Sequence, residues 1–343
     1  MTLQLQESFG TFAPFLDAVF HAGHNADIPD RRLRMEAVAL GLNEGVGSTG
    51  GFLVEEEVAE ALWQRVYAIG SIIRRCAKIS TGKREVRIPA IADTGGVGAA
   101  RFGGVQISWT DEAAPGGETR PKIDLLKMKL KKLLAVVYAA DELLEDAPAL
   151  AVTVERLFGI AAAFEIEKAI ISGSGVGAPL GVLNSPALIT VAPEAGQAAG
   201  SVVQENLANM VERLWGPSHA NAVWLMGNDA FSSILKLESE LGLELIKTGA
   251  DGQRLLHQMP IELCEYTTSL GVAGDIVLGD FSQYLLAERE PQFMSSIHVK
   301  FITDESTFKF RYRAEGQPAW ASPITPENSA NTQSPFVALG ARP

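Results

Sequence analysis

Residues 101–146 read RFGGVQISWTDEAAPGGETRPKIDLLKMKLKKLLAVVYAADELLEDA, and this stretch decides the fold. It opens as a Gly-rich, weakly hydrophobic excursion around Trp109. It continues as an alternating segment, Lys127-Met128-Lys129-Leu130-Lys131-Lys132-Leu133, in which Lys127, Lys129 and Lys131 fall on one face of a strand. It closes on the acidic, helix-starting cluster Asp141, Glu142, Glu145 and Asp146. The pattern predicts two long strands in a protruding hairpin, followed by a helix. A two-stranded ribbon is marginal in water by itself. Such an arm needs another surface to lie on, and the chain shows no obvious catalytic constellation, so the first reading is an assembly protein.

Working outward, residues 149–172 form the longest helical pattern, with Val152, Leu157, Ile160, Ala161, Phe164 and Ile170 at helical spacing and Gly173 as its stop. Pro148 or Thr153 marks its start. Upstream, Phe9, Phe12, Phe15, Leu16 and Phe20 suggest an amphipathic helix in an arm over 1–50, which ends in the Gly-rich linker 43–51. Residues 51–54 read as extended, 55–66 as helical and 85–91 (EVRIPAI) as a strand. Downstream, 201–215 and 229–237 read as helices, the second with Asn228 as N-cap. Residues 222–226, 261–264, 276–278, 284–288, 298–301 and 307–313 read as strands. Residues 244–256 read as turn-like, and 336–339 as an apolar end to a polar tail.

Composition bounds the function. Of 343 residues, 47% are hydrophobic and 20% charged, which is a globular profile with room for two domains. No apolar run reaches the length of a membrane span. The N-terminal MTLQLQESFGTFAPFLDAVFHAG lacks the basic start of a signal peptide. Cys76 and Cys264 sit in separate apolar settings and read as buried small hydrophobes. The net charge of −12 argues against a dedicated nucleic-acid reader but not against a container for nucleic acid.

Candidate chemistry is thin. Gly173-Ser174-Gly175-Val176-Gly177 follows a helix rather than a strand and lacks a Gly-Lys-Ser/Thr, so it is a turn and not a phosphate cradle. The acidic cluster is what a helix N-terminus favours. The histidines 21, 24, 219, 257 and 298 show no metal-binding frame. No catalytic, cofactor or metal residue is assigned, and the chain is expected not to be an enzyme. Arg31-Arg32-Leu33-Arg34 and Lys127–Lys132 are the basic spots. The second reads either as a solvated, edge-protecting strand face or as a contact for an acidic neighbour or packaged nucleic acid.

The order of these pieces resembles the tailed-bacteriophage major capsid proteins of the Hong Kong 97-type fold. Gly50-Gly51-Phe52-Leu53-Val54 resembles the start of the folded body after the arm, and Trp109-Thr110-Asp111-Glu112 the Trp-x-x-Glu of the extended loop. Lys132-Leu133-Leu134-Ala135 followed by Asp141-Glu142-Leu143-Leu144 resembles the strand running into the spine helix. Ala140 stands where a serine is frequent. Gly173-x-Gly175 with Pro179-x-Gly181 resembles the turn closing that helix, and Gly279-Asp280-Phe281-Ser282 and Phe308-Lys309-Phe310-Arg311 the later strands. The resemblance covers 43–339.

It implies an α+β fold with an arm (1–50), the start of a peripheral domain (51–82), an extended loop (83–134), the peripheral domain with its spine helix (135–185), an axial domain (186–290), peripheral strands (291–322) and a C-terminal return (323–343). It implies hexamers and pentamers building an icosahedral phage head around double-stranded DNA, in the virion, after synthesis in a bacterial host's cytoplasm. The implied partners are further copies of the chain, portal, scaffolding and decoration proteins, and non-specific contact with DNA. No membrane and no cofactor are implied. Expected intersubunit contacts are Trp109, Glu112, Lys127, Lys129 and Lys131 in the loop and Phe9, Phe12 and Phe15 in the arm. Some members weld subunits through a Lys–Asn isopeptide bond. Lys122 or Lys127 could supply the amine here, but no asparagine lies between 291 and 326, so non-covalent stabilisation is expected. Two alternatives stand beside this reading: an encapsulin-type nanocompartment shell, and a soluble α+β metal-dependent enzyme using Asp141, Glu142, Glu145 and Asp146.

Overall fold

Alternation in TFKFRYR carries the first sheet. The computed structural model describes residues 51–53, 70–91, 123–140, 147–242, 244–249, 251–300, 305–327 and 331–342. In it, β1 (Gly51–Leu53), β2 (Ala77–Ser80), β5 (Lys131–Ala140), β12 (Tyr284–Lys300) and β13 (Glu305–Pro318) form a five-stranded sheet in the order β1-β12-β13-β5. β2 pairs parallel with β12 over 285–288, and β1 antiparallel over 294–296. The separate strands expected at 284–288, 298–301 and 307–313 are therefore two long ones. Polar residues and Pro291 hid the continuity of β12. The β12–β13 ladder breaks between Arg289 and Gln292, and Pro291 falls in that irregularity, where neither β1 nor β2 pairs. A proline lacks the ladder donor and is tolerated at such a bulge.

Phe308, Phe310 and Tyr312 of β13 and Leu133, Ala135 and Val137 of β5 turn to one face. Against it lies α1 (Ala147–Ser172), about 39 Å long at the helical rise. It contributes Phe158, Ala162, Ile166 and Ile170 to the shared core. Pro148 sits in its first turn, where its missing N–H costs nothing. Gly173 ends it because a Cβ there would run into the Ala169 and Pro179 carbonyl oxygens.

The second sheet has the order β6-β14-β11-β7-β10-β9-β8. These strands are β6 (Ile189–Val191), β7 (Val223–Met226), β8 (Ile246–Thr248), β9 (Arg254–Leu256), β10 (Met259–Leu263), β11 (Ile276–Gly279) and β14 (Phe336–Leu339). β7, β11 and β14 are buried at every position. Continuous apolar runs of this kind mark strands covered on both faces. Val223, Leu225, Val277, Phe336 and Ala338 face the core built on α1. Trp224, Met226, Ile276, Leu278, Val337 and Leu339 face a second core closed by Leu207 and Met210 of α2 (Gln204–Arg213) and Ala230 and Ile234 of α3 (Asn228–Leu241).

Two local expectations are corrected. Residues 244–256 hold the β8–β9 pair rather than only turns; three-residue strands are too short to show alternation. Gly227, not Asn228, is the N-cap of α3: its backbone is extended and its carbonyl accepts the first helical bond, from the Phe231 amide at 3.0 Å.

Candidate functional site

β3 (Glu85–Ile91) and β4 (Ile123–Lys129) form an antiparallel ribbon separate from both sheets, with Arg87 opposite Lys127 and Glu85 opposite Lys129. This is the root of the expected hairpin. Its two faces differ. Met128 is fully buried, while Leu125 is 57% exposed on the face that carries Lys127, Lys129 and Arg87. Arg87 reaches Glu85 at 2.8 Å on this face, and that contact holds the exposed Glu85 carboxyl below its usual range.

The alternating lysines do not act as one row. At Leu130, whose amide donates to the Arg84 carbonyl at 3.0 Å, the chain leaves the ribbon and enters the five-stranded sheet. Lys127 and Lys129 stay on the ribbon's exposed face, whereas Lys131 turns into the body. Its Nζ donates to the Gly175 and Ala178 carbonyls at 2.6 Å each and lies 2.9 Å from Glu315 Oε2. Lys131, expected among the intersubunit contacts, has its ammonium held by these groups within the subunit. Burial raises the Glu315 carboxyl above its ordinary range against the opposing pull of Lys131.

The turn over 173–181 is thereby bolted to the end of β13. Leu180 N donates to Gly316 O at 2.7 Å, and the Tyr284 hydroxyl donates to Leu180 O at 2.9 Å. Gly316 is required there because a Cβ would meet that hydroxyl. The ribbon thus springs from a fixed root.

A second joint links α1 to the seven-stranded sheet. Glu167, buried near the C-terminal end of α1, accepts from the Ile72 amide at 2.7 Å and the Ile73 amide at 3.3 Å. Desolvation raises its pKa, while these amides and the Tyr266 hydroxyl lower it. Arg75 reaches Glu262 of β10 at 3.2 Å. Cys76 is buried, with its thiol pushed up by desolvation, and Cys264 is partly buried; both are free thiols.

Trp109, Glu112, Phe9, Phe12 and Phe15, and the acidic cluster Asp141, Glu142, Glu145 and Asp146, lie outside the described residues. Among the described residues no group of His, Cys, Asp or Glu is placed to hold a metal ion. No described helix is long and apolar enough to cross a membrane. Sequence reading missed Glu315 and Glu167, since nothing in a one-dimensional pattern marks a carboxylate whose partners lie 94 to 184 residues away.

The phage capsid family matches residues 50–327. No curated protein matches the chain. Among solved structures, the capsid of a native GTA particle aligns over 93% of this chain and 99% of its own, with a TM-score of 0.56 at 19% identity. The structure from Mycobacterium phage Bobi covers 79% of this chain and 90% of its own, with a TM-score of 0.52 at 14% identity. The holo-SrpI encapsulin complex from Synechococcus elongatus PCC 7942 covers 80% and 88%, with a TM-score of 0.52 at 12% identity. At such identities the likeness shows the fold, and the fold is that of the Hong Kong 97 type. With the family match spanning most of its length, the chain belongs to the phage capsid family and is a shell protein.

Proposed function

We propose that this protein closes into an icosahedral head of hexamers and pentamers around double-stranded DNA, after synthesis in a bacterial cytoplasm. In this reading α1 and the five-stranded sheet make up the peripheral domain. The seven-stranded sheet is the axial domain, and β3, β4 and residues 92–122 are the extended loop. The observation that carries the reading is the ribbon. It leaves the body at a bolted root and exposes Leu125 beside a cationic face, an arrangement with no use in an isolated monomer. Portal, scaffolding and decoration proteins complete the proposed set of partners, and contact with DNA is non-specific. Subunits are held by buried apolar area and ion pairs rather than covalent bonds.

The test is negative-stain microscopy of purified particles with the 260/280 nm absorbance ratio before and after nuclease. Closed shells holding nuclease-protected nucleic acid are expected. Shells that hold protein cargo and no nucleic acid would make the encapsulin-type reading correct instead. A small monodisperse oligomer would overturn both.

A further inference from the structure

Two of the chain's crossings between its sheets lie side by side. One leads from β11 to β12 through 280–283, and the other from β13 to β14 through 319–335. They are stitched together: the Ala319 amide donates to the Gln283 carbonyl at 2.8 Å, and the Asp280 amide to the Pro335 carbonyl at 2.9 Å. Two half-buried tryptophans meet there, one from each side. Trp215 follows α2, which packs on β6 and β14 of the seven-stranded sheet. Trp320 follows β13 of the five-stranded sheet. Their rings meet edge to face, with centroids 4.9 Å apart and planes at 65°. Trp215 N donates to Ser334 O at 3.0 Å, and Trp320 Nε1 to Gln283 Oε1 at 3.1 Å, so both residues are tied in place.

We infer that Trp215 and Trp320 form a clasp that sets the angle between the two sheets, and through it the angle at which one subunit meets the next. The inference rests on the reading of the protein as a self-assembling shell subunit. The seven-stranded sheet is attached to the rest of the subunit on two sides. On the β10 side, Tyr266 meets Phe164 of α1 edge-on, with centroids 5.0 Å apart, and Arg75 reaches Glu262. On the β14 side, with β11 and β7 between, stands the tryptophan pair. Between the two attachments the contact is apolar, with Val223, Leu225, Val277, Phe336 and Ala338 on the core built on α1. Apolar burial is non-directional. That core supplies adhesion, and the directional contacts at the two sides supply orientation. One attachment alone is a pivot, and the second fixes its setting. An edge-to-face aromatic contact suits such a stop because it has a preferred geometry. A ring of subunits closes only if the rotation between neighbours allows it. A small change of angle within the subunit therefore changes the size of the shell or leaves it open.

The test is shell size in variants of the full chain. Trp320→Leu keeps an apolar side chain and removes the ring, whereas Trp320→Tyr keeps a ring and a polar tip. Trp320→Leu should retain the circular dichroism of the parent, and in negative stain its shells should spread in diameter about three times as widely, with open shells among them. Trp320→Tyr should return the spread to near the parental value. Trp215→Leu should reproduce the wide spread, and the double variant should add little to either single one, since the two residues act as one contact. Should one ring-removing variant fail to fold, the other carries the test; loss of fold in both would make the pair part of the core and overturn the inference. Parental diameters from Trp320→Leu and Trp215→Leu would also overturn it, as would no narrowing in Trp320→Tyr. Folded subunits that no longer assemble would overturn it too, because the rings would then belong to the contact between subunits. A parent chain that forms no shells would instead strike down the underlying reading.

Discussion

The two sheets of this protein are finished to different degrees. In the seven-stranded sheet, β7, β11 and β14 are buried at every position and both faces carry a packed core. Its C-terminal end is bolted from within. Arg342 and Asp275 form a buried bidentate ion pair, and Asp275 also accepts from the Gly271 amide at 2.9 Å. The five-stranded sheet packs one face on α1, and on the opposite face of its outer strand β5 it exposes Leu134, Val136 and Tyr138, with Arg311 and Lys309 of β13 opposite the first two. One region is complete in a single chain. The other has the composition of a surface completed by something else. In a shell protein, that division keeps the subunit's own stability largely separate from the energy of assembly.

The strongest break in this division is at Arg342. Arg342→Ala strands the Asp275 carboxylate in a fully buried site, and loss of one partner of such a pair costs about 4 kcal/mol. Urea unfolding should show that loss, and shells should fail only because subunits unfold. Lys131→Met comes next. It removes the donor from the Gly175 and Ala178 carbonyls and the cation from Glu315, at a cost of about 3 kcal/mol. Because Lys131 sits at the ribbon root, hydrogen exchange should rise in β3 and β4 more than in β7 or β11. Lys131→Arg, which keeps charge and donors, should recover part of the protection. An equal rise in both regions would mean that the residue supports the body as a whole.

The smallest expected effect is a pH dependence at Glu167. Its carboxyl titrates above the ordinary value of 4.5 in the folded protein, through desolvation. Between 4.5 and its raised value, the folded state therefore binds more protons than the unfolded state. Its contribution to stability is full below 4.5 and falls as pH rises through the raised value. Glu315 acts in the same direction. Glu167→Gln keeps an oxygen for the Ile72 and Ile73 amides and removes the titration. Its urea midpoint should change less between acid and neutral pH than that of the parent. An unchanged pH slope would assign the dependence to other groups.

Much of the architecture was legible in the sequence because its signals are local. Alternation in 307–313 and in 127–133 marked two strands, and the first placed Phe308, Phe310 and Tyr312 on one face. The apolar spacing of 149–172 gave α1. What was not legible depended on distant partners. Lys127, Lys129 and Lys131 share a face only if the strand continues, and the transfer from ribbon to sheet at Leu130 is set by pairing with β13, which local alternation does not encode. Pro291 and its polar neighbours concealed a strand that persists through a bulge. The cations of β13 were present in TFKFRYR as every second residue, yet the apolar partners of Lys309 and Arg311 on β5, Val136 and Leu134, are 173 and 177 positions away and become neighbours only through register.

The account's central claim is that the chain is built to be completed by further copies of itself. Sedimentation velocity of the purified full chain across a concentration series tests it most directly. The account predicts capsomers or closed shells far larger than the 36.7 kDa chain, which collapse to one band of monomer size on boiling in detergent. A single monomeric boundary at every concentration would contradict it.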